Sequence, residues 1–420
     1  MSDYETPVAE EAKGAEVAVI ESLSQMNERH HAEFGDRLCD EMNDCAVDHD
    51  VLQSAADAIE GAEDGLSVAE GTAVVVSLER LLAKYGQTAP AFEQYGTKRQ
   101  KHRQTQYAIE TIKEAIVAAY RKLIELFKRA GEWIKSFFTR NRAQEAIIAA
   151  KSAKYQAASK KADEDRGTGK RVEPSEPIRS ESLAAVLNVD GTPVSGDDLI
   201  STYRHHANIV KFIYSQMLQR VEDGFTLVQE ATQAVTGDDL EKAKELVEKA
   251  KAQISAPPDR FMFTNIAKDS PVHQHGNQAW RHNLVFGQKS FYYIVEPNVG
   301  AMVAQSPKHR QIDPQTAVFE VAERHVRDRL HSAVLSHKKD LVADFHAKYS
   351  TLNRQVTRIT ADLSAASKKA IDSETREVIV KASSALSGTT RILLAVNHLN
   401  AYNDTVQNAI LTYCLMCVYR

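Results

Sequence analysis

The chain of 420 residues is poor in the residues that mark a disulfide-stabilised, loop-rich or membrane-spanning protein. Four cysteines are too few for disulfide bonds to stabilise a fold of this length, and their scarcity favours a reducing compartment. Eleven prolines and 18 glycines exclude a low-complexity chain. No uninterrupted apolar run approaches the roughly 18–20 residues that span a bilayer, and the first residues lack the basic and apolar parts of a secretion signal. We therefore expect a soluble protein made in a cytoplasm.

Catalytic motifs are also missing from the sequence. It contains no Gly-rich phosphate loop, no Gly-x-Ser-x-Gly and no His-Glu-x-x-His in a matching context. We predict a non-enzymatic protein that has no catalytic residues and needs no cofactor.

Two groups of residues resemble metal sites but lack the necessary partners. Cys414 and Cys417 have the spacing of a half-site, yet they lie in an apolar helix end where cysteine is a small core residue, and no second pair is near. His273, His275 and His282 form the densest histidine group. A metal enzyme built on these imidazoles is one alternative function, but no carboxylate motif supports it, so we predict no metal ligands.

What the chain does have is a strong separation of charge. The net charge is only -5, but residues 1–93 hold 21 acidic and 5 basic residues, a balance of -16. Residues 94–171 hold 19 basic and 8 acidic residues, a balance of +11, and residues 172–420 are neutral. One explanation of this asymmetry is that each helix has a solvated charged face. The alternative is that the two ends serve different stages in the life of the protein.

Helical periodicity dominates the sequence and predicts a mainly α protein, a multi-helix bundle of long amphipathic helices with a small β-hairpin insert. We divide the chain into an acidic helical region (1–93), a basic amphipathic segment (94–165), a linker (166–180) and a helical body (181–420) with the β insert near 261–300. In the acidic region, helices are expected at 18–43 and 51–59, followed by one that begins at a capping box formed by Ser67 and Glu70. In the body, we expect a turn at 188–191 and two helices at about 363–386 and 389–418. The hairpin is expected to pair a strand at 284–286 with one at 291–295.

The basic amphipathic segment contains the clearest helix, at about 109–138. Its apolar stripe predicts burial in the bundle, and its cations are candidates for binding nucleic-acid phosphates without sequence specificity. The alternative is a membrane-active helix, ejected or toxin-like, that uses Trp133, Phe137 and Phe138 at a lipid surface. The candidate surface-binding residues are Lys98, Arg99, Lys101, Arg103, Lys113, Arg121, Lys122, Lys128, Arg129 and Lys135.

The order of these segments resembles that of the internal head proteins of large tailed bacteriophages, which are packed with the genome inside the capsid. The resemblance lies in the acidic helical head, the run Ala91-Phe92-Glu93-Gln94-Tyr95-Gly96, the basic helix, the linker, Leu187–Gly191, the β insert and the final helix ending Thr405–Tyr413. It implies a virion structural protein located inside the capsid and synthesised in the host cytoplasm. It implies capsid and core proteins, a prohead protease and packaged double-stranded DNA as partners.

The resemblance also implies a maturation cut, because prohead proteases commonly cut after Glu in short small-x-Glu or aliphatic-x-Glu sites. Ala91-Phe92-Glu93, followed by Gln94, fits this pattern and lies at the charge boundary. The tripeptides 77–79 and 143–145 fit it too, but they fall inside predicted helices, where a protease would have to unfold its site.

Together these features give an electrostatic hypothesis. The acidic region offsets the basic segment in the intact chain and prevents early binding to nucleic acid. A cut after Glu93 leaves residues 94–420 with a balance of +11, suited to packaged phosphates.

Overall fold

A computed structural model describes residues 6–62, 65–92, 98–167, 176–258, 263–265, 279–295, 299–306, 309–369 and 373–418. Long helices dominate, and the predicted mainly α bundle with a small β insert is confirmed. The last helix, α8 (Ser373–Val418), lies at the centre of the bundle and contacts most of the other long helices. A single large apolar core joins the N-terminal helices to the rest of the chain.

The acidic region forms two helices, α1 (Thr6–Glu60) and α2 (Val68–Lys84). α1 is continuous where the periodicity suggested two pieces, and from residue 38 it buries apolar side chains about every third or fourth position. α2 begins at the expected capping box: the Ser67 side chain accepts a hydrogen bond from the Glu70 backbone, and the Glu70 carboxylate accepts one from the Ser67 backbone.

The basic segment forms one long helix, α3 (Lys98–Gly167), which packs against α1, α7 (Arg324–Lys369) and α8. The predicted apolar stripe is buried, and it includes Ile112, Ile116, Tyr120, Leu123, Phe127 and Ile134. The helix runs two residues into the segment expected to be a linker, and residues 168–175 lie outside the described part of the chain.

After this segment, β1 (Ile178–Arg179), α4 (Glu181–Val186) and the small hairpin of β2 (Asn188–Val189) and β3 (Thr192–Pro193) lead into the body. The turn expected at 188–191 joins the two hairpin strands, with positive φ angles at Asp190 (50°) and Gly191 (87°). Helices α5 (Gly196–Thr236) and α6 (Leu240–Ser255) follow, and Asp239 caps α6.

The β insert is larger than the expected hairpin. It is an antiparallel sheet in the order β4 (Thr264–Asn265), β5 (Ala279–Asn283), β6 (Lys289–Ile294) and β7 (Gly300–Gln305). β5 ends at Asn283 and β6 begins at Lys289. Residues 284–286, which were expected to form a strand, therefore lie in the turn between these two strands. The reason is a tertiary contact: the Phe286 backbone N–H donates to Tyr402 Oη of α8 (3.1 Å), which donates back to the Phe286 carbonyl (3.0 Å).

The chain returns through a short 3-10 helix (Pro314–Thr316) and β8 (Val318–Phe319), which pairs with β1. α7 and α8 then complete the bundle. The expected helix break at 387–388 is wrong, because α8 continues through Gly388. A Cβ at Gly388 would lie 2.6 Å from Ile254 Cδ1, so the glycine permits close packing of α6 on α8.

By length and composition, α8 is apolar enough to cross a membrane between Glu374 and Val418. However, 83% of its most apolar stretch is buried within the fold, as in the core helix of a globular protein.

Candidate nucleic-acid interface and cleavage segment

The acidic helix α1 lies antiparallel to the basic helix α3. Glu60 at the end of α1 pairs with Lys113 near the start of α3 (2.5 Å), and Glu41 pairs with Arg129 further along (3.6 Å). These exposed pairs are individually weak. Their arrangement places two of the ten candidate binding residues directly against acidic partners in the intact chain.

Around these ion pairs the two helices share a tightly packed interface. The Trp133 indole lies against Gly35 of α1. A Cβ added to Gly35 would be 2.6 Å from Trp133 Cζ2, which is too close for a side chain. The Arg129 guanidinium stacks over the Phe34 ring at 5.5 Å. Deeper in the interface, Cys45 Sγ donates a hydrogen bond to the Ala119 carbonyl (3.1 Å). α1 is therefore part of the core as well as an acidic counterpart to α3.

The remaining candidate cations are exposed or half-exposed on α3. The densest group is at its N-terminal end, where Lys98, Arg99 and Arg103 are exposed and Lys101 is half-exposed. Within the described chain, none of these four has a carboxylate within 4.0 Å, and the first turn of α3 has no acidic residue. Cations are unfavourable at the positive end of a helix dipole, so this end of α3 favours an anionic partner. We name Lys98, Arg99, Lys101 and Arg103 the basic cluster.

Further along α3, Arg121, Lys122, Lys128 and Lys135 are exposed. Lys128 and Lys135 line a cleft of about 370 Å³ between α3 and α7, with Glu132 between them. The opposite wall carries the hydroxyl-bearing Thr357 and Thr360 of α7. Sequence reasoning missed these two threonines, because only the tertiary packing of α7 on α3 brings them near the lysines.

The predicted cleavage segment is only partly within the described chain. Ala91 is exposed, Phe92 is half-buried, and Glu93 and Gln94 lie outside the described residues. The Phe92 ring lies against Gly71 of α2, where an added Cβ would be 2.4 Å from the ring. Phe92 is thus held on α2 in the intact fold, and a protease that binds an extended segment must lift it away.

The two other candidate tripeptides lie inside helices, as expected. Ser77-Leu-Glu79 is in α2, where Leu78 is buried in the core. Residues 143–145 lie within α3, and their side chains are outside the described part. Both sites would require helix unfolding before a protease could bind them.

The candidate metal residues are not gathered into a site in the described part of the chain, where no group of three His, Cys, Asp or Glu side chains has metal-binding geometry. His273 and His275 lie outside the described residues. His282 in β5 is half-buried, and its Nδ1 lies 2.7 Å from the Asn283 carbonyl. Cys414 and Cys417 are buried thiols, and burial raises the pKa of both.

The residues expected to act at a lipid surface in the alternative function do not share an exposed face. Trp133 is 3% exposed because α1 covers it. The side chains of Phe137 and Phe138 are outside the described part. In this fold, a lipid surface cannot reach the Trp133 ring unless α1 moves away.

A buried polar cluster in the body was not predicted. His206 of α5 and His337 of α7 have ring centres 6.5 Å apart, next to Tyr203. His206 Nε2 lies 3.2 Å from Asn403 Oδ1 of α8. Burial lowers the pKa of His206 to about 3 and that of His337 to about 4, so both rings are neutral at pH 7.

Comparison with known proteins gives one informative match. A family model described as phiKZ-like phage internal head proteins matches residues 29–415, which includes most of α1, all of α2 and α3, and nearly all of the body. No curated protein and no solved structure gives a significant match.

Proposed function

Because the chain belongs to the phiKZ-like phage internal head proteins, which are structural components inside the virion capsid, we propose that it contacts the packaged double-stranded DNA through α3. We further propose that the prohead protease cuts it after Glu93 during maturation. Both roles are non-enzymatic on the part of this chain, and neither requires a cofactor.

The observation that carries the DNA proposal is the basic cluster at the start of α3. Four cations lie within six residues at the positive end of a helix. None forms an ion pair within 4.0 Å among the described residues, although Lys101 acts electrostatically on Glu70 of α2. Phosphate oxygens would supply the missing negative charge and release counterions from DNA. Since no base-reading motif accompanies the cluster, the binding would be independent of sequence and sensitive to salt.

The cleavage proposal is supported by the position of the candidate site. Ala91-Phe92-Glu93 follows α2 and precedes α3, outside any helix in its described part. It also lies at the boundary where a region with a charge of -16 meets one with a charge of +11. In the assembling head, we propose that the acidic region holds the precursor among capsid and core proteins and limits early contact with DNA.

The experiment is a titration of short duplexes of two unrelated sequences with the full chain at several salt concentrations. We expect equal affinities for the two sequences and a linear fall of log affinity with log salt. Each phosphate contact contributes roughly 0.9 to the slope of log affinity against log salt. Replacing Lys98, Arg99 and Arg103 by Gln removes three such contacts, so we expect the slope to become less steep by about 2–3.

The matched control replaces Lys242, Lys249 and Lys251 of α6 by Gln, which removes the same charge from a surface where Lys249 and Lys251 already pair with glutamates. We expect this control to leave the slope nearly unchanged. Equal losses in the two triple variants would reject the basic cluster as the DNA contact. Because the acidic region is proposed to limit binding by the intact chain, DNA association is rejected only if neither the intact chain nor the protein cut after Glu93 and freed of residues 1–93 binds at low salt.

A further inference from the structure

We propose that the acidic region, residues 1–93, stays bound to the rest of the protein after the chain is cut. The inference rests on the proposed cut after Glu93 and adds that the immediate product is a two-chain complex. Hydrolysis of the Glu93–Gln94 bond consumes one water and leaves a carboxylate on Glu93 and an ammonium group on Gln94. None of the contacts described below includes that bond.

α1 is buried against α3 and α8. Within residues 33–60, where the side chains of α1 are described, α3 and α8 cover its inward face, and the exposed fraction of each buried apolar side chain is 6% or less. The residues on this face are Leu38, Cys39, Met42, Cys45, Ala46, Leu52, Ala56 and Ile59. Removing this helix would expose these side chains and the apolar surfaces of α3 and α8 beneath them, which is strongly unfavourable in water.

Buried hydrogen bonds also join the acidic region to two other helices, α3 and α8. Cys45 donates to the Ala119 carbonyl of α3, and Ser387 Oγ of α8 donates to the Cys39 carbonyl (3.2 Å). The Leu66 backbone N–H donates to Thr105 Oγ1 of α3 (3.2 Å). Separation would leave buried donors and acceptors without these partners until water reached them.

Side chains of opposite charge meet at the rim of the same interface. Glu60 and Glu41 of α1 pair with α3, and Asp40 pairs with Arg391 of α8 (2.5 Å). Arg391 is only 18% exposed in its side chain, so this pair is less screened than the others. The interface thus combines an apolar centre with a charged rim, as stable protein interfaces do.

The consequence is that cutting and charge reversal are separate events. As long as the acidic region remains bound, the complex keeps the net charge of the intact chain, apart from the two new terminal charges, which cancel. The balance of +11 appears only when the acidic region leaves. Loss of the covalent link lowers the effective concentration of α1 at its site but removes no contact.

The test uses the full chain with a recognition sequence for a specific protease inserted after Glu93, cut to completion in its native state. Size-exclusion chromatography and native mass spectrometry then measure whether both pieces remain in one 1:1 species. We expect a single species in buffer at physiological salt and separation of the pieces only in denaturant. Separation in buffer alone would overturn the proposal.

A pair of variants distinguishes specific docking from adhesion of two pieces. Gly35→Val places a branched side chain where the Trp133 indole lies, and it is expected to increase the released fraction of the acidic piece at least tenfold after dilution of the cut protein. Asp44→Val changes an exposed position of the same helix and is expected to retain the complex. Equal release in both variants would contradict the described interface. Circular dichroism before cutting checks that each uncut variant is folded.

This experiment is independent of the phage protease. If virions contain only uncut chain, the proposed maturation cut fails while the retention of the acidic region is still measured. If virions contain the cut chain and the engineered complex separates in buffer, the cut stands and the retention fails.

Discussion

Trp133 of the basic helix lies directly on Gly35 of the acidic helix, so closely that a Cβ at Gly35 would be 2.6 Å from Trp133 Cζ2 and 2.8 Å from Cε2. A contact this close requires a residue without a side chain. It fixes the position of α1 along α3 and removes the largest aromatic ring of α3 from solvent. The two segments of opposite charge are thereby joined by apolar packing as well as by ion pairs.

The contact predicts the effect of substitution at Gly35 in the intact protein. Gly35→Val must displace the Trp133 indole, and we expect it to lower the free energy of unfolding by about 1–3 kcal/mol, the usual cost of overpacking a core. Urea denaturation followed by circular dichroism measures this change. The exposed Asp44→Val variant is expected to stay within about 0.5 kcal/mol of the parent. A neutral Gly35→Val would show that Trp133 is not packed there.

The contact between Phe92 and Gly71 predicts the rate of proteolysis at the charge boundary. An added Cβ at Gly71 would lie 2.4 Å from the Phe92 ring, so Gly71→Ala should push the segment off α2. We expect faster cutting after Glu93, by severalfold, because the protease no longer has to detach Phe92. The assay follows the appearance of the 94–420 fragment by gel electrophoresis with the prohead protease.

Thr72→Ala is the control for this prediction, since Thr72 is the exposed neighbour of Gly71. It should leave the rate unchanged. If both variants are cut at the parental rate, detachment of Phe92 does not limit the reaction.

The buried His206 predicts a loss of stability in acid. Its pKa is lowered to about 3 in the folded protein, below the value near 6.5 of an exposed histidine, because burial penalises the charged ring. The unfolded state therefore binds the proton more readily as pH falls below 6.5, and the folded state is progressively destabilised. Each pKa unit corresponds to roughly 1.4 kcal/mol. Between pH 7 and pH 5 we therefore expect His206 alone to lower the free energy of unfolding by about 2 kcal/mol.

Two adjacent histidines provide the comparison for this prediction. His205 is exposed and His206 is fully buried. Urea denaturation at pH 7 and pH 5 measures how much free energy of unfolding is lost on acidification. This loss should be smaller for His206→Gln than for the parent, and His205→Gln should lose as much as the parent. The prediction is wrong if the two variants have the same pH dependence.

Local features of the fold were readable from the sequence because they depend on residues close together in the chain. The Ser67–Glu70 capping box, the 188–191 turn and the buried stripe of α3 each depend on contacts within one or two turns of the chain. The charge separation was also visible by counting, and it located the candidate cut.

Features that depend on distant contacts were not readable. The helix break expected near Gly388 is absent because that glycine accommodates Ile254, which is 134 residues away. The 284–286 strand is replaced by a turn because Phe286 binds Tyr402 of α8. For the same reason, the acidic region could be recognised from its charge, but its place in the core, through Gly35 and Cys45, could not.

The central claim, that the chain is cut where its acidic and basic regions meet, is tested most directly by peptide mapping of purified mature virions with N-terminal labelling. The account predicts a labelled N-terminus at Gln94 and few peptides that span Glu93 and Gln94. Spanning peptides in the same abundance as peptides from residues 373–418, with no labelled Gln94, would contradict it.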